Sequence, residues 1–250
     1  MSLTSMDPPE VIRFIKTHYP DVELIKPKES VYTVAVRKKL LPTRLIRWCC
    51  DVFKEGFGAG KVKIIGIRRQ ESIKRSMRNE IEISSRKFSG SQMDFDKWRV
   101  DQTNQLYDSD ILSEDVVKCI GGKDSIIISP IISWSERDVW EFLNNVVKVE
   151  HCALYDKGHR RIGCIFCPMA NIKEIRRCEK EYPHQRKRWI DTIKIMLNNG
   201  CFNNIDQYIN MSQFSQDEKA EIIFDWWISK INLKDYVVNR FKQLSINFDI

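Results

Sequence analysis

Four of the eight cysteines constrain this chain more than any other feature of its 250 residues. Cys49 and Cys50 are adjacent, while Cys164 and Cys167 form a Cys-Ile-Phe-Cys-Pro turn. The C-x-x-C spacing lets two thiolates share one metal centre from a turn. Adjacent cysteines on a helix diverge by about 100 degrees, so they suit a single ion poorly. A cubane spreads its ligation sites over several ångströms, and neighbouring cysteines can each take a different iron. The two pairs together therefore point to a four-iron four-sulfur (4Fe-4S) cluster, with zinc as the alternative. Taken separately, the C-x-x-C also reads as a zinc knuckle or an idle pair, and Cys49–Cys50 as two buried small residues. Cys119, Cys152, Cys178 and Cys201 are scattered and read as buried or incidental thiols.

The segment Ile120–Ile128, IGGKDSIII, resembles a phosphate-cradling loop. Such a loop follows a buried strand and opens a helix, whose N-terminus and backbone N–H groups converge on the anion. Here the β-branched run follows the glycines, so the expectation is a turn into a strand.

Elsewhere, DPPEVIRFIKTHY predicts a helix with Asp7 as cap, Pro8 in the first turn and Glu10 in capping-box spacing. DVELIKP predicts a short strand. TRLIRWCCDVFKEG predicts a helix from Thr43 to Gly56. KVKIIGI and SIIISPI predict buried strands, and residues 84–110 an irregular excursion. SERDVWEFLNNV predicts a helix capped by Ser135 and Asp138. A long basic helix is expected over 172–197, another capped by Ser215 and Glu218, and one more near the end. Phe224, Trp226 and Trp227 read as core or interface contacts. Strands alternating with helices, then helices alone, give an α/β sheet followed by a helical C-terminal region.

The net charge of +7 favours a phosphate-bearing partner, and it is as compatible with nucleic acid as with a nucleotide. No apolar run is long enough for a membrane span. The opening residues lack the pattern of a secretory leader, so a cytoplasmic location is expected.

RWCCDVFK, IIGIRRQESIKR, PIISWSERDVWEFL and LYDKGHRRIGCIFCP, in that order, resemble the phosphoadenosine phosphosulfate (PAPS) reductase family. The likeness is strongest to its iron-sulfur branch, the adenylylsulfate reductases, and runs from about residue 7 to 197. It implies an adenine-nucleotide alpha-hydrolase-like sheet with flanking helices over 1–197, and a helical C-terminal extension over 198–250. It implies a 4Fe-4S cluster on Cys49, Cys50, Cys164 and Cys167. It places Lys54 between cluster and substrate sulfate, and gives Arg68, Arg69, Ser72 and Arg75 to the acidic groups of a sulfonucleotide or adenylate. Arginine suits that task because its guanidinium is a fixed charge with a fork of donors.

The family's Ser-Gly-Gly phosphate loop lies upstream of the DPPE-like segment, and nothing corresponds to it here. The expected sheet is therefore incomplete, and a second chain or a homodimer would complete it. The family's late nucleophilic cysteine also has no counterpart, so no catalytic residue is assigned. Two other readings follow: a sulfur-transfer protein that thiolates tRNA or DNA, and a non-catalytic metal-binding remnant.

Overall fold

The computed structural model describes residues 1–55, 62–84, 125–203, 205, 208 and 210–245. The glycines of the phosphate-loop lookalike, Cys119 and nearly all of the excursion expected over 84–110 lie outside them. The chain divides into two compact units, Met1–Glu55 with His151–Ile250, and Gly56–Glu150.

The first unit is helical. Helix α1 spans Pro9–His18 and α2 spans Val31–Lys38, capped by Ser30, which accepts from the Thr33 N–H at 3.1 Å. Helix α3 spans only Trp48–Cys50 and continues as a π-helical turn over Asp51–Glu55. The expected start at Thr43 does not occur. The Thr43 hydroxyl instead accepts from Ile46 N–H in a turn whose tip, Leu45, is almost fully exposed. Around α1, Asp7 accepts from Thr4 N–H rather than capping the helix, and Glu10 accepts from the Tyr182 hydroxyl rather than closing a box. The strand expected in DVELIKP is reduced to one parallel bridge between Ser2 and Ile25.

The long basic helix is two helices, as α6 spans Ile172–Glu181 and α7 spans Pro183–Asn198. The break falls at Tyr182, whose φ of −125° and ψ of 59° lie away from helix geometry, because a following proline disfavours the helical region. Helix α8, Gln216–Ser229, has the expected Ser215–Glu218 capping box, and α9 spans Leu233–Ser245. The core centres on Trp189 of α7, which touches Tyr32 of α2 at 4.9 Å and Trp227 of α8 at 4.7 Å between ring centroids. Phe224 is fully buried and Trp227 nearly so, as core residues should be.

The second unit holds a three-stranded sheet among the described residues. Its strands are β1 (Val62–Ile64), β2 (Ile81–Ser84) and β3 (Ser125–Ile128), in the order β1-β3-β2. β1 runs parallel to the central β3, and β2 antiparallel to it. Ser125 thus opens a strand, as expected. KVKIIGI is less buried than its composition suggests: β1 is an edge strand, and Ile64 is 75% exposed. Helix α4 spans Ile73–Ser76, and α5, Glu136–Glu141, carries the Ser135–Asp138 capping box.

Candidate metal centre

Both cysteine pairs lie in the first unit. After the exposed turn, the chain enters α3 with Cys50 N–H donating to Arg47 O at 2.9 Å. The π-helical turn that follows keeps Lys54 on the side of Cys50; such widened turns recur at functional sites. The second pair sits on a loop closed by Cys167 N–H donating to Cys164 O at 3.1 Å. Phe166, inside this turn, has φ 54°, the left-handed region that a bulky residue rarely adopts. Its N–H donates to the thiol of Cys178.

The N-terminal segment is tied to both arms. Ser2 Oγ donates to Phe53 O at 2.6 Å, Thr4 Oγ1 lies 3.4 Å from Cys164 Sγ, and Ile165 N–H donates to Met6 O at 2.7 Å. Sequence reading missed Thr4, and no local pattern marks it.

The pairs face one another. Cys49 is pushed up to about 12, first by burial and then by the neighbouring Cys50, Cys167 and Cys164. A thiol so placed keeps its proton until a metal displaces it. For Lys54, burial alone would lower the pKa, but Cys164, which accepts a hydrogen bond from the ammonium, then Cys50 and Cys167 raise it. Lys230, the left-handed cap of α8, is lowered by burial and then by Arg44, with Cys167 acting the other way. Two lysines therefore flank the thiols, and Lys230 too was missed.

The donor chemistry suits an iron-sulfur cluster: four thiols from two elements, with cations beside them. The Trp48 indole N–H, one residue before Cys49, is buried without a hydrogen-bond partner, an orphaned donor at the edge of the centre. Among the described residues, no three histidine, cysteine, aspartate or glutamate side chains form a ready site for a single ion. Of the other cysteines, Cys152 and Cys201 are buried and Cys178 is raised by burial, as structural thiols are.

The candidate anion-binding residues lie in the second unit. Arg68 Nε is 3.5 Å from Glu71, and Arg75 pairs with the same carboxylate. Arg69 donates to Arg78 O at 3.3 Å, and Ser72 caps α4 by accepting from Arg75 N–H. One guanidinium nitrogen, Arg68 Nη1, is buried and unpartnered. It has donor capacity to give, while Glu71 pairs with Nε.

The chain belongs to the phosphoadenosine phosphosulfate reductase domain family, whose model matches residues 4–170. Uncharacterized protein MJ0973 of Methanocaldococcus jannaschii is 42% identical over 74 residues, 29% of this chain and 17% of that protein. Uncharacterized protein MJ0066 of the same organism is 23% identical over 189 residues, 72% of this chain and 32% of that protein. The chain thus spans less than a third of the length of either relative. No solved structure matches it. No helix among the described residues is long and apolar enough to cross a membrane.

Proposed function

We propose that this chain binds a sulfonucleotide or adenylate beside a 4Fe-4S cluster held by Cys49, Cys50, Cys164 and Cys167, as an oxidoreductase of the sulfonucleotide reductase type. The observation that carries the reading is the Lys54 ammonium, hydrogen-bonded to Cys164 and within the field of Cys50 and Cys167. A cation held against thiols can neutralise an anion brought to the same place. When bound, the cluster would supply positive iron close to the substrate's sulfate. Lys54 would hold a sulfate oxygen, while Arg68, Arg69, Ser72 and Arg75 would bind acidic groups. No residue of this sequence is assigned as the nucleophilic thiol for sulfur transfer.

A sulfur-transfer role on nucleic acid is the second reading, favoured by the division of charge on α6. Its Glu174 and Glu181 turn to the buried His159, at 3.3 and 3.1 Å, while Lys173, Arg176 and Lys180 face solvent. Salt-dependent binding to tRNA or duplex DNA would support it, since phosphate contacts release counterions.

The deciding experiment is purification without oxygen, followed by iron and sulfide analysis, a visible spectrum and titration with adenylylsulfate. About four irons per chain with matching sulfide, together with nucleotide binding, supports the proposal. Zinc alone would move the centre to the structural alternative. Iron without nucleotide binding, in the presence or absence of nucleic acid, would remove the substrate assignment.

A further inference from the structure

The family match ends at residue 170, yet the cysteine centre is braced by residues well beyond it. Phe166, inside Cys164–Cys167, meets Phe224 of α8 edge to face at 5.4 Å, with the planes at 84°. One turn further along α8, the Trp227 indole N–H donates to Pro42 O at 2.6 Å, in a buried hydrogen bond. Pro42 immediately precedes the exposed turn that delivers the chain to Cys49–Cys50. Phe224 and Trp227 are themselves in ring contact at 6.0 Å, and Trp227 rests on Trp189.

One helix therefore holds both arms of the centre. Phe224 grips the turn that carries one pair, and Trp227 grips the approach to the other. Residues three apart on a helix lie on the same face, so one rigid face of α8 meets both arms and holds their separation. The left-handed backbone of Phe166 persists because its ring is packed and its N–H is bonded to Cys178. Buried aromatic pairs of this geometry are favourable beyond the area they cover.

We infer that α8, outside the family domain, is the brace that sets the spacing of the two cysteine pairs, with Phe224 and Trp227 as its positioning residues. Rigid support of this kind decides whether a set of ligands is within reach of one metal group. The inference rests on the proposed centre, but its geometric content can be read without metal.

The test compares the wild-type chain with Phe224→Ala, Phe224→Leu and Trp227→Phe. Trp227→Phe keeps a ring but removes the N–H. Circular dichroism and thermal melting select the variants that remain folded; Phe224→Leu and Trp227→Phe carry the test if Phe224→Ala does not fold. Two quantities are then measured. The first is iron uptake after anaerobic reconstitution, with the lifetime of the visible band in the presence of a chelator. The second is metal-free: disulfide formation between Cys49 and Cys167 in chains bearing Cys50→Ser and Cys164→Ser, located by peptide mass mapping.

The expected result is a severalfold shorter cluster lifetime and severalfold slower cross-linking in folded variants, with Phe224→Leu closer to wild type than Phe224→Ala. Unchanged cross-linking and lifetime in folded Phe224→Leu and Trp227→Phe would overturn the inference. If the wild type takes up no iron, the proposed function fails, and the cross-linking rates alone decide whether α8 is the brace.

Discussion

Lys54 and Arg68 carry the substrate assignment residue by residue. A hydrogen bond to a charged group contributes about 1.5–3 kcal/mol, so Lys54→Ala and Arg68→Ala should each weaken adenylylsulfate binding about 10–100-fold by calorimetry under argon. Unchanged affinity in both would sink the assignment. Glu71 competes with any anion for Arg68 and Arg75. Glu71→Gln is therefore expected to tighten binding severalfold; a loss would mean that the carboxylate positions the guanidinium groups instead. Cys49 sets a pH dependence. Its folded pKa is raised from 9.0 to about 12, so the folded metal-free chain keeps a proton that the unfolded chain releases. The associated stability is fully present below pH 9.0 and is lost as pH rises towards 12. Denaturant midpoints across that window should fall in wild type and fall less in Cys49→Ser. Each cysteine pair was legible in the sequence because its spacing is local, while the joining of the two pairs was suggested by the order of motifs in the family resemblance. Thr4, Trp48 and Lys230 were not legible, since what places them beside the thiols is tertiary packing.

Local chemistry was equally legible in the elements that begin with a cap. Ser135–Asp138 and Ser215–Glu218 close the boxes that their spacing announces, because both partners lie within one turn. The same reasoning gives a measurable cost at α6, where Asn171 accepts from Glu174 N–H at 2.9 Å. Asn171→Ala should lower stability by about 1 kcal/mol, read from thermal or urea unfolding; a change near zero would show that water satisfies the helix end. The failures have physical causes too. Thr43 looks like a cap, but its hydroxyl closes a turn, and α3 starts after it. Amphipathic periodicity runs through Tyr182, while Pro183 breaks the backbone there. β2 escaped notice because four residues, Ile81–Ser84, carry too little pattern. β1 is apolar in composition, but its edge position leaves much of it uncovered.

Packing, not sequence kinship, decides what must be present for the whole chain to fold. A chain ending at residue 197 keeps the whole matched domain, yet it leaves Phe166 and Trp189 without α8. Losing a buried aromatic costs about 3–5 kcal/mol, and Phe224 and Trp227 would both go. A domain's entire stability is about 5–15 kcal/mol. The shortened chain should therefore lack a cooperative melt by calorimetry; a sharp transition near that of the full chain would show that the first unit stands without α8. The two-unit division could not be read beforehand, since it depends on contacts between residues 1–55 and 151–250. That division has a consequence for biosynthesis. More than a hundred residues separate Cys50 from Cys164, and a ribosome adding ~5–20 residues per second needs roughly 6–20 s to cross them. The first two thiols leave the exit tunnel with no counterpart, and the bracing helix emerges later still. A cluster on all four cysteines, as proposed, would be completed only after Cys167 has emerged, so Cys49 and Cys50 would stand open to oxidation and to stray metals during that interval.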